Sequence, residues 1–211
     1  RCLVLRGAGG KAFASGADIS EFEAERADPA AARAYAEATE AAMSAIGACV
    51  HPTVALIEGA CIGGGLEIAM RCDLRICGRS SRFGIPSNRL GLVIGYAELE
   101  ALMAAVGRAR ALEILLEARI FDAEEAYEKG LVQRVVDDAE VAAEAYASAA
   151  RIAAGAPLVN RWHKKFMRRL AIPEPLSAAE REEALACFGT ADYGEGWRAF
   201  LAKRRPQFEG R

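Results

Sequence analysis

Histidine is nearly missing from this chain: its 211 residues contain two, His51 and His163. A zinc site built from Cys and His therefore has little material, and no metal is expected. A hydrolase triad finds no support either, because no GxSxG occurs and neither histidine lies beside a serine in a turn that would pair them. The six cysteines stand at 2, 49, 61, 72, 77 and 187, and no pair has CxxC spacing. Most lie in apolar surroundings, so they read as buried free thiols in a reducing compartment, and a cytoplasmic location is expected. No apolar run reaches the roughly 18–20 residues of a membrane span, so no membrane partner is expected. No charge sign dominates: 27 basic residues face 29 acidic ones, for a net charge of -2. That balance offers no overall attraction to nucleic acid or to an anionic surface. A starting methionine is also missing, and the opening Arg1-Cys2-Leu3-Val4-Leu5-Arg6 already reads as a strand. An N-terminal segment is expected to precede it, and no signal peptide is recognised in what is present.

What is there is ordinary for a soluble domain: 53% hydrophobic and 27% charged residues, enough to bury one full core. Short apolar runs at 2–5, 54–57, 74–77 and 131–136 read as strands, with a brief extended piece at Phe83. Asp28-Pro29 starts a helix carrying Tyr35, Thr39, Ala42, Met43 and Ile46 on one face. Leu66 to Met70 reads as a short helix. A helical pair over 96–106 and 108–118 breaks at Gly107, and Asp122 caps a small helix ending at Gly130. From Asp138 the chain reads as helices over 139–154, 158–170, 178–188 and 195–204, and Ser177 with Glu180 forms a capping-box signature. Strands alternate with helices early and helices alone follow. The expected fold class is α/β, with a core over 1–155 and a helical region over 156–211.

Three glycine-rich stretches invite a chemical reading. Gly7-Ala8-Gly9-Gly10-Lys11-Ala12 loosely matches a dinucleotide loop. Such a loop should open directly into a helix, with an acidic residue about 20 positions on, and neither follows here. In Phe13-Ala14-Ser15-Gly16-Ala17-Asp18-Ile19, small residues let the backbone approach a ligand and leave amides exposed. Asp18 also reads as a structural N-cap, with Glu21 closing a capping box. Gly63-Gly64-Gly65, running into Glu67, presents N–H groups and a positive helix end to an incoming negative charge. The plain reading of Glu67 is a first-turn carboxylate that favours the helix dipole. Lys164, Lys165, Arg168 and Arg169 read as a solvated helix face.

Taken together, Ala12 to Ile19 and Ile57-Glu58-Gly59-Ala60-Cys61-Ile62-Gly63-Gly64-Gly65-Leu66-Glu67 resemble the enoyl-CoA hydratase/isomerase (crotonase) family. The stretch Asp73 to Gly95, the Ala123–Val136 segment and the C-terminal Phe200-Leu201-Ala202-Lys203-Arg204-Arg205-Pro206 resemble it too. The resemblance implies a spiral of ββα units with a C-terminal helical region that trimerises, as a homotrimer or a hexamer. It implies acyl-CoA thioester substrates in fatty acid metabolism, with coenzyme A entering as part of the substrate and no separate cofactor. By resemblance, the amides of Ala17 and Gly64 form an oxyanion hole, Glu67 is a catalytic acid/base, and Ala14, Gly16, Asp18, Ile19 and Gly63 line the thioester. Phe200 and Lys203 match positions that reach the CoA of a neighbouring subunit.

The pattern departs from the family at one place. Its hydratases carry a second glutamate after the Phe-Gly-x-Pro stretch. Here Phe83-Gly84-Ile85-Pro86 is followed by Ser87. Other branches place a carboxylate or tyrosine further on, where this chain has Ile94. Water addition needs one group to activate water and one to protonate C2, and a positioned acid or base contributes roughly 10²–10⁴-fold. Glu67 alone suits proton shuttling between carbons, or decarboxylation, better than hydration; the alternative of a different class is a CoA-binding homologue without turnover, against which the retained Glu67 counts. Ser87 can orient a water or a substrate carboxylate. Tyr96 and Glu98 stand close by in the sequence, Glu98 reading first as a helix-end charge.

Overall fold

The computed structural model describes residues 1–25 and 27–211. They group into two compact units: Val4–Cys49 with Thr53–Tyr146, and Arg1–Leu3 with Val50–Pro52 and Ala147–Arg211.

The first unit repeats a ββα plan. Strands β1 (Leu3–Arg6), β3 (Thr53–Ile57), β5 (Leu74–Gly78) and β8 (Arg134–Val136) form one sheet in the order β1-β3-β5-β8. Strands β2 (Ala12–Ala14), β4 (Ala60–Ile62), β6 (Arg82–Gly84) and β7 (Phe121–Asp122) form a second, in the order β2-β4-β6-β7. Each turn of the chain adds a neighbour to both sheets. β3 pairs with β5 in parallel and β4 with β6 in parallel, while β6 and β7 run antiparallel. Helices α1 (Phe22–Glu25), α2 (Pro29–Gly47), α3 (Gly64–Arg71), α4 (Tyr96–Val106), α5 (Arg108–Glu117) and α6 (Ala123–Glu128) fill the returns.

The apolar runs explain the first sheet. Every residue of β3 is buried, as expected of a parallel strand covered on both faces. Its start is pinned to β5: Asp73 Oδ2 accepts from Thr53 N at 2.7 Å and from Thr53 Oγ1 at 3.0 Å, and Thr53 Oγ1 accepts from Asp73 N at 2.9 Å. The core runs from Ile57, Cys61 and Leu66 through Phe83 and Ile85 to Leu102, Phe121 and Leu131. Buried Cys61 and Cys77 are free, and burial raises both thiols, Cys77 to about 12. Neither is a nucleophile at neutral pH.

Several boundaries differ from the sequence expectation. The second sheet was largely illegible: β2 and β4 are three-residue strands of mostly small residues, read from sequence as loop and turn. The run over 131–136 becomes a strand only at Arg134, because Leu131 N is taken by Ala126 O at the end of α6. The expected α2 cap holds, with Asp28 accepting from the Ala30 and Ala31 amides. The α6 cap holds as well, Asp122 accepting from Glu125 N.

α7 (Val141–Ala153) carries the chain into the second unit, which contains α8 (Pro157–Leu170), α9 (Ala178–Glu183) and α10 (Ala191–Leu201). The Ser177–Glu180 capping box is present at α9, which is shorter than expected because a 3-10 turn follows over Ala186–Gly189. α10 starts earlier than expected, capped by Thr190. Asp192 is buried and accepts from Glu209 N at 2.7 Å and Gly210 N at 2.9 Å, which ties the C-terminal tail to α10. Met167, Leu170, Phe188, Trp197, Phe200 and Leu201 leave much of their side chains exposed on this unit.

Candidate active site

Two glycine-bearing turns meet where β2 ends and α3 begins. Gly16 has φ +100°, and a Cβ there would stand 3.4 Å from Ile62 O and 3.7 Å from Gly64 N. A side chain would fit in ordinary contact there, but the positive φ strains any residue with a Cβ, which is why the turn carries glycine. A Cβ at Gly65 would lie 2.2 Å from Ala14 O, so the first turn of α3 sits directly on the β2 backbone. Gly63 is anchored by its own amide, which donates to Gly84 O at 2.8 Å.

The two turns and the start of α3 come together beside Gly64. A Cβ on Gly64 would stand 3.8 Å from Gly16 Cα, 3.9 Å from Glu67 Oε2 and 4.0 Å from Ala17 N. One spot is therefore flanked by the Ala17 backbone, the Gly64 backbone and the Glu67 carboxylate. Outside helices and strands, the backbone hydrogen bonds among the described residues engage the amides of Gly63 and Glu67 but not those of Ala17 or Gly64. Glu67 lies in the first turn of α3, and its own amide bonds to Gly63 O at 3.0 Å. Helix N-termini favour negative charge because their first amides lack intrahelical partners.

Other predicted residues fall into different places. Ala14 is half-buried at the end of β2 and carries the carbonyl that faces Gly65. Asp18 is exposed and caps a 3-10 turn, accepting from Ser20 N at 2.9 Å and Ser20 Oγ at 2.7 Å, which holds its carboxyl below the usual range. The capping box expected with Glu21 is not formed among the described residues. The Asp18 carboxylate is engaged by Ser20 at a short 3-10 turn. Ile19 is more than half exposed.

Ser87 opens the 3-10 turn Ser87–Leu90, and its carbonyl accepts from Leu92 N at 3.0 Å. Ile94 packs against the hydrophobic core. Glu98 sits in the first turn of α4, largely buried, with Arg71 of α3 at 4.0 Å. It is the sole carboxylate in the sequence between Ser87 and Leu99. Tyr96 is 94% exposed. In the second unit, Phe200 is 82% exposed on α10, and Lys203 follows the helix with φ 52°.

Arg75 was not singled out in the sequence. It is 7% exposed on β5. The visible signal was a lone cation inside the apolar run Leu74-Arg75-Ile76-Cys77. A surface pocket of about 480 Å³ lies elsewhere in this unit, lined by Arg110, Asp122, Glu124, Glu125, Glu128 and Lys129. It contains none of the predicted site residues and has no apolar wall for an acyl chain. Its Lys129 is paired with Glu113 at 2.7 Å and Glu125 at 3.1 Å. Among the described residues no group of three or more His, Cys, Asp or Glu could hold a metal, and no helix is long and apolar enough to cross a membrane.

Comparison with known proteins bears on this geometry. A family profile described as enoyl-CoA hydratase/isomerase matches residues 1–211. A crystal structure of an enoyl-CoA hydratase/carnithine racemase from Magnetospirillum magneticum superimposes with a TM-score of 0.98 at 50% identity, covering 100% of this chain and 79% of that one. A probable enoyl-CoA hydratase from Mycobacterium tuberculosis is 37% identical over 212 residues, covering 99% of this chain and 80% of the relative. A crotonyl-CoA hydratase from Syntrophomonas wolfei is 34% identical over 209 residues, covering 98% and 79%.

Proposed function

Because the chain belongs to the enoyl-CoA hydratase/isomerase family, whose members process acyl-CoA thioesters, we propose that the spot beside Gly64 binds a thioester oxygen and stabilises its enolate. The observation that carries this reading is the meeting of Ala17 N, the Gly64 backbone and Glu67 Oε2 around one point. Two amides aimed at the thioester oxygen stabilise charge as it develops there, and losing one such donor costs about 10²–10³ in rate. Glu67, on the same rim, moves the proton to or from the adjacent carbon. Gly16, Gly63, Ala14, Asp18 and Ile19 shape the wall.

Glu67 is the one acid/base group at this rim in the proposed mechanism. Ser87 stands where a second glutamate is expected, Ile94 is committed to the core, and Glu98 is tied to Arg71. That set supports proton transfer between carbons, as in double-bond isomerisation, above water addition. Hydration is the second reading, favoured by the names of the relatives and by Ser87 as a group that can orient water. Decarboxylation is a third, needing only the oxyanion hole. A panel of 2-enoyl-, 3-enoyl- and malonyl-type thioesters separates these. Turnover of 3-enoyl-CoA well above hydration of crotonyl-CoA is the expected result, and efficient crotonyl-CoA hydration abolished by Glu67→Gln would overturn it.

The proposed assembly is a homotrimer or hexamer, with Phe200 and Lys203 reaching a neighbour's CoA. The exposed apolar side chains of α8 and α10 support a buried role in an assembly. Sedimentation velocity tests it, a monomer being the contrary result. A cytoplasmic setting agrees with six free cysteines.

A further inference from the structure

α3 has a second end, and that end is also built. At its N-terminus stand Gly64 and Glu67; at its C-terminus lies the side chain of Arg75, reaching over from β5. Arg75 Nη1 donates to Ala69 O, in the last turn of α3, at 3.3 Å and to the carbonyl of Cys72, the extended residue that follows the helix, at 2.7 Å, and Nε donates to Leu131 O at 2.6 Å. Its hydrogen-bond partners are backbone carbonyls; among the described residues no carboxylate touches it, although the charge of nearby Asp73 favours the cation. Burial pulls its pKa down, yet a guanidinium stays charged in proteins. An almost fully buried cation with no carboxylate in contact is costly unless its surroundings favour it.

The helix offers that. Its dipole places partial negative charge at the carbonyl end, where a cation is stabilised, and partial positive charge at the amide end. α3 has only 8 residues, so it rises about 12 Å. A rigid body that short transmits any axial shift at Arg75 directly to Gly64 and Glu67. Leu131 O, just past α6, holds the Nε of the same guanidinium, so α3, β5 and the segment after α6 share one fastening.

We propose that Arg75 is a positioning residue for the thioester site: it grips the C-terminal carbonyls of α3, sets the axial position of the Gly64 amide and Glu67, and adds positive potential along the helix axis. This rests on the oxyanion-hole reading above. The chain of cause runs from one buried cation, through a short helix, to the stabilisation of an enolate. No contact with substrate is involved.

The test uses acetoacetyl-CoA, a β-keto thioester whose enolate absorbs in the near ultraviolet while the keto form does not. The fraction of bound ligand present as enolate reports the oxyanion site itself, separately from CoA affinity. For Arg75→Met the enolisation constant of the bound ligand should fall about tenfold, with Kd changed less than about twofold. Arg75→Lys, which keeps the charge and can still reach a carbonyl, should restore most of it. Gln133→Ala serves as a control for general loosening. Its Oε1 accepts from Arg75 N at 2.8 Å, on the strand rather than on α3, so it should lower Tm and leave the enolate unchanged. A wild-type enolate fraction in Arg75→Met, or an equal loss in Gln133→Ala, overturns the proposal. So does failure of both Arg75 variants to fold, which would make Arg75 a core residue only. Absence of enolate on the wild-type protein instead removes the oxyanion-hole reading, and the role of Arg75 falls with it.

Discussion

In the proposed site, the turn pair around Gly16 and Gly64 and the segment from Ser87 to Tyr96 make opposite kinds of wall. In the first, backbones touch: a methyl group at Gly65 would overlap Ala14 O, and Gly16 holds a positive φ of +100° that strains other residues. In the second, Leu90 is half exposed, Val93 is 93% exposed and Tyr96 is 94% exposed, with Ile94 as the apolar anchor. The contrast matches a division of labour. In the proposed function, the intermediate common to enolate chemistries is held by amides on the tightly packed turns, and the groups that choose between outcomes sit on the more exposed segment.

That contrast can be broken or sharpened by substitution. The largest effect is expected from Glu67→Gln, which keeps the shape but removes the acid/base: kcat should fall roughly 10²–10⁴-fold with KM little changed, read from steady-state kinetics. Gly65→Ala comes next. Its Cβ would stand 2.2 Å from Ala14 O, so α3 must move, and a loss of about 10²–10³ in kcat with a lowered Tm is expected. An activity near wild type would show that the turns are not locked. On the other wall, Ser87→Ala should change isomerisation less than about tenfold, since its hydroxyl is not the acid/base there. A larger loss would bring Ser87 into the chemistry. Tyr96→Ala should sit within about twofold, as for exposed side chains generally.

The smallest effect lies outside both walls. Glu180 accepts from the Ser177 amide and pairs with Arg169, and its carboxyl is held down at about 2. A folded pKa below the unfolded value of about 4.3 gives stability that is present above that value and lost as pH falls toward 2. Glu180→Gln should therefore flatten the acid side of the Tm-against-pH curve between those limits and leave the neutral Tm nearly unchanged. An unaltered acid limb would show that this carboxylate contributes nothing there.

Legibility followed the range of the signal. β3 was readable because a buried parallel strand is a continuous apolar run, and α2, α6 and α9 because their caps are local. β2 and β4 were not, since Ala12-Phe13-Ala14 and Ala60-Cys61-Ile62 are too short for periodicity and become strands only by long-range pairing, β2 with β4 and β4 with β6. At the site, the two glycine turns could be named from sequence, as could the Ser87 and Ile94 departures. The pairing of Glu98 with Arg71, the grip of Arg75 on α3 and the contact of Gly65 with Ala14 could not, because each joins residues by geometry rather than by spacing.

Enolate formation at the Gly64 spot with Glu67 moving the proton is most directly tested by deuterium exchange at C2 of butyryl-CoA in D2O, followed by mass spectrometry. The substrate has no double bond and no leaving group, so exchange reports proton removal alone. The account predicts exchange well above the uncatalysed background with the wild-type protein, and its loss in Glu67→Gln. Background-level exchange with the wild type, or undiminished exchange in Glu67→Gln, would contradict it.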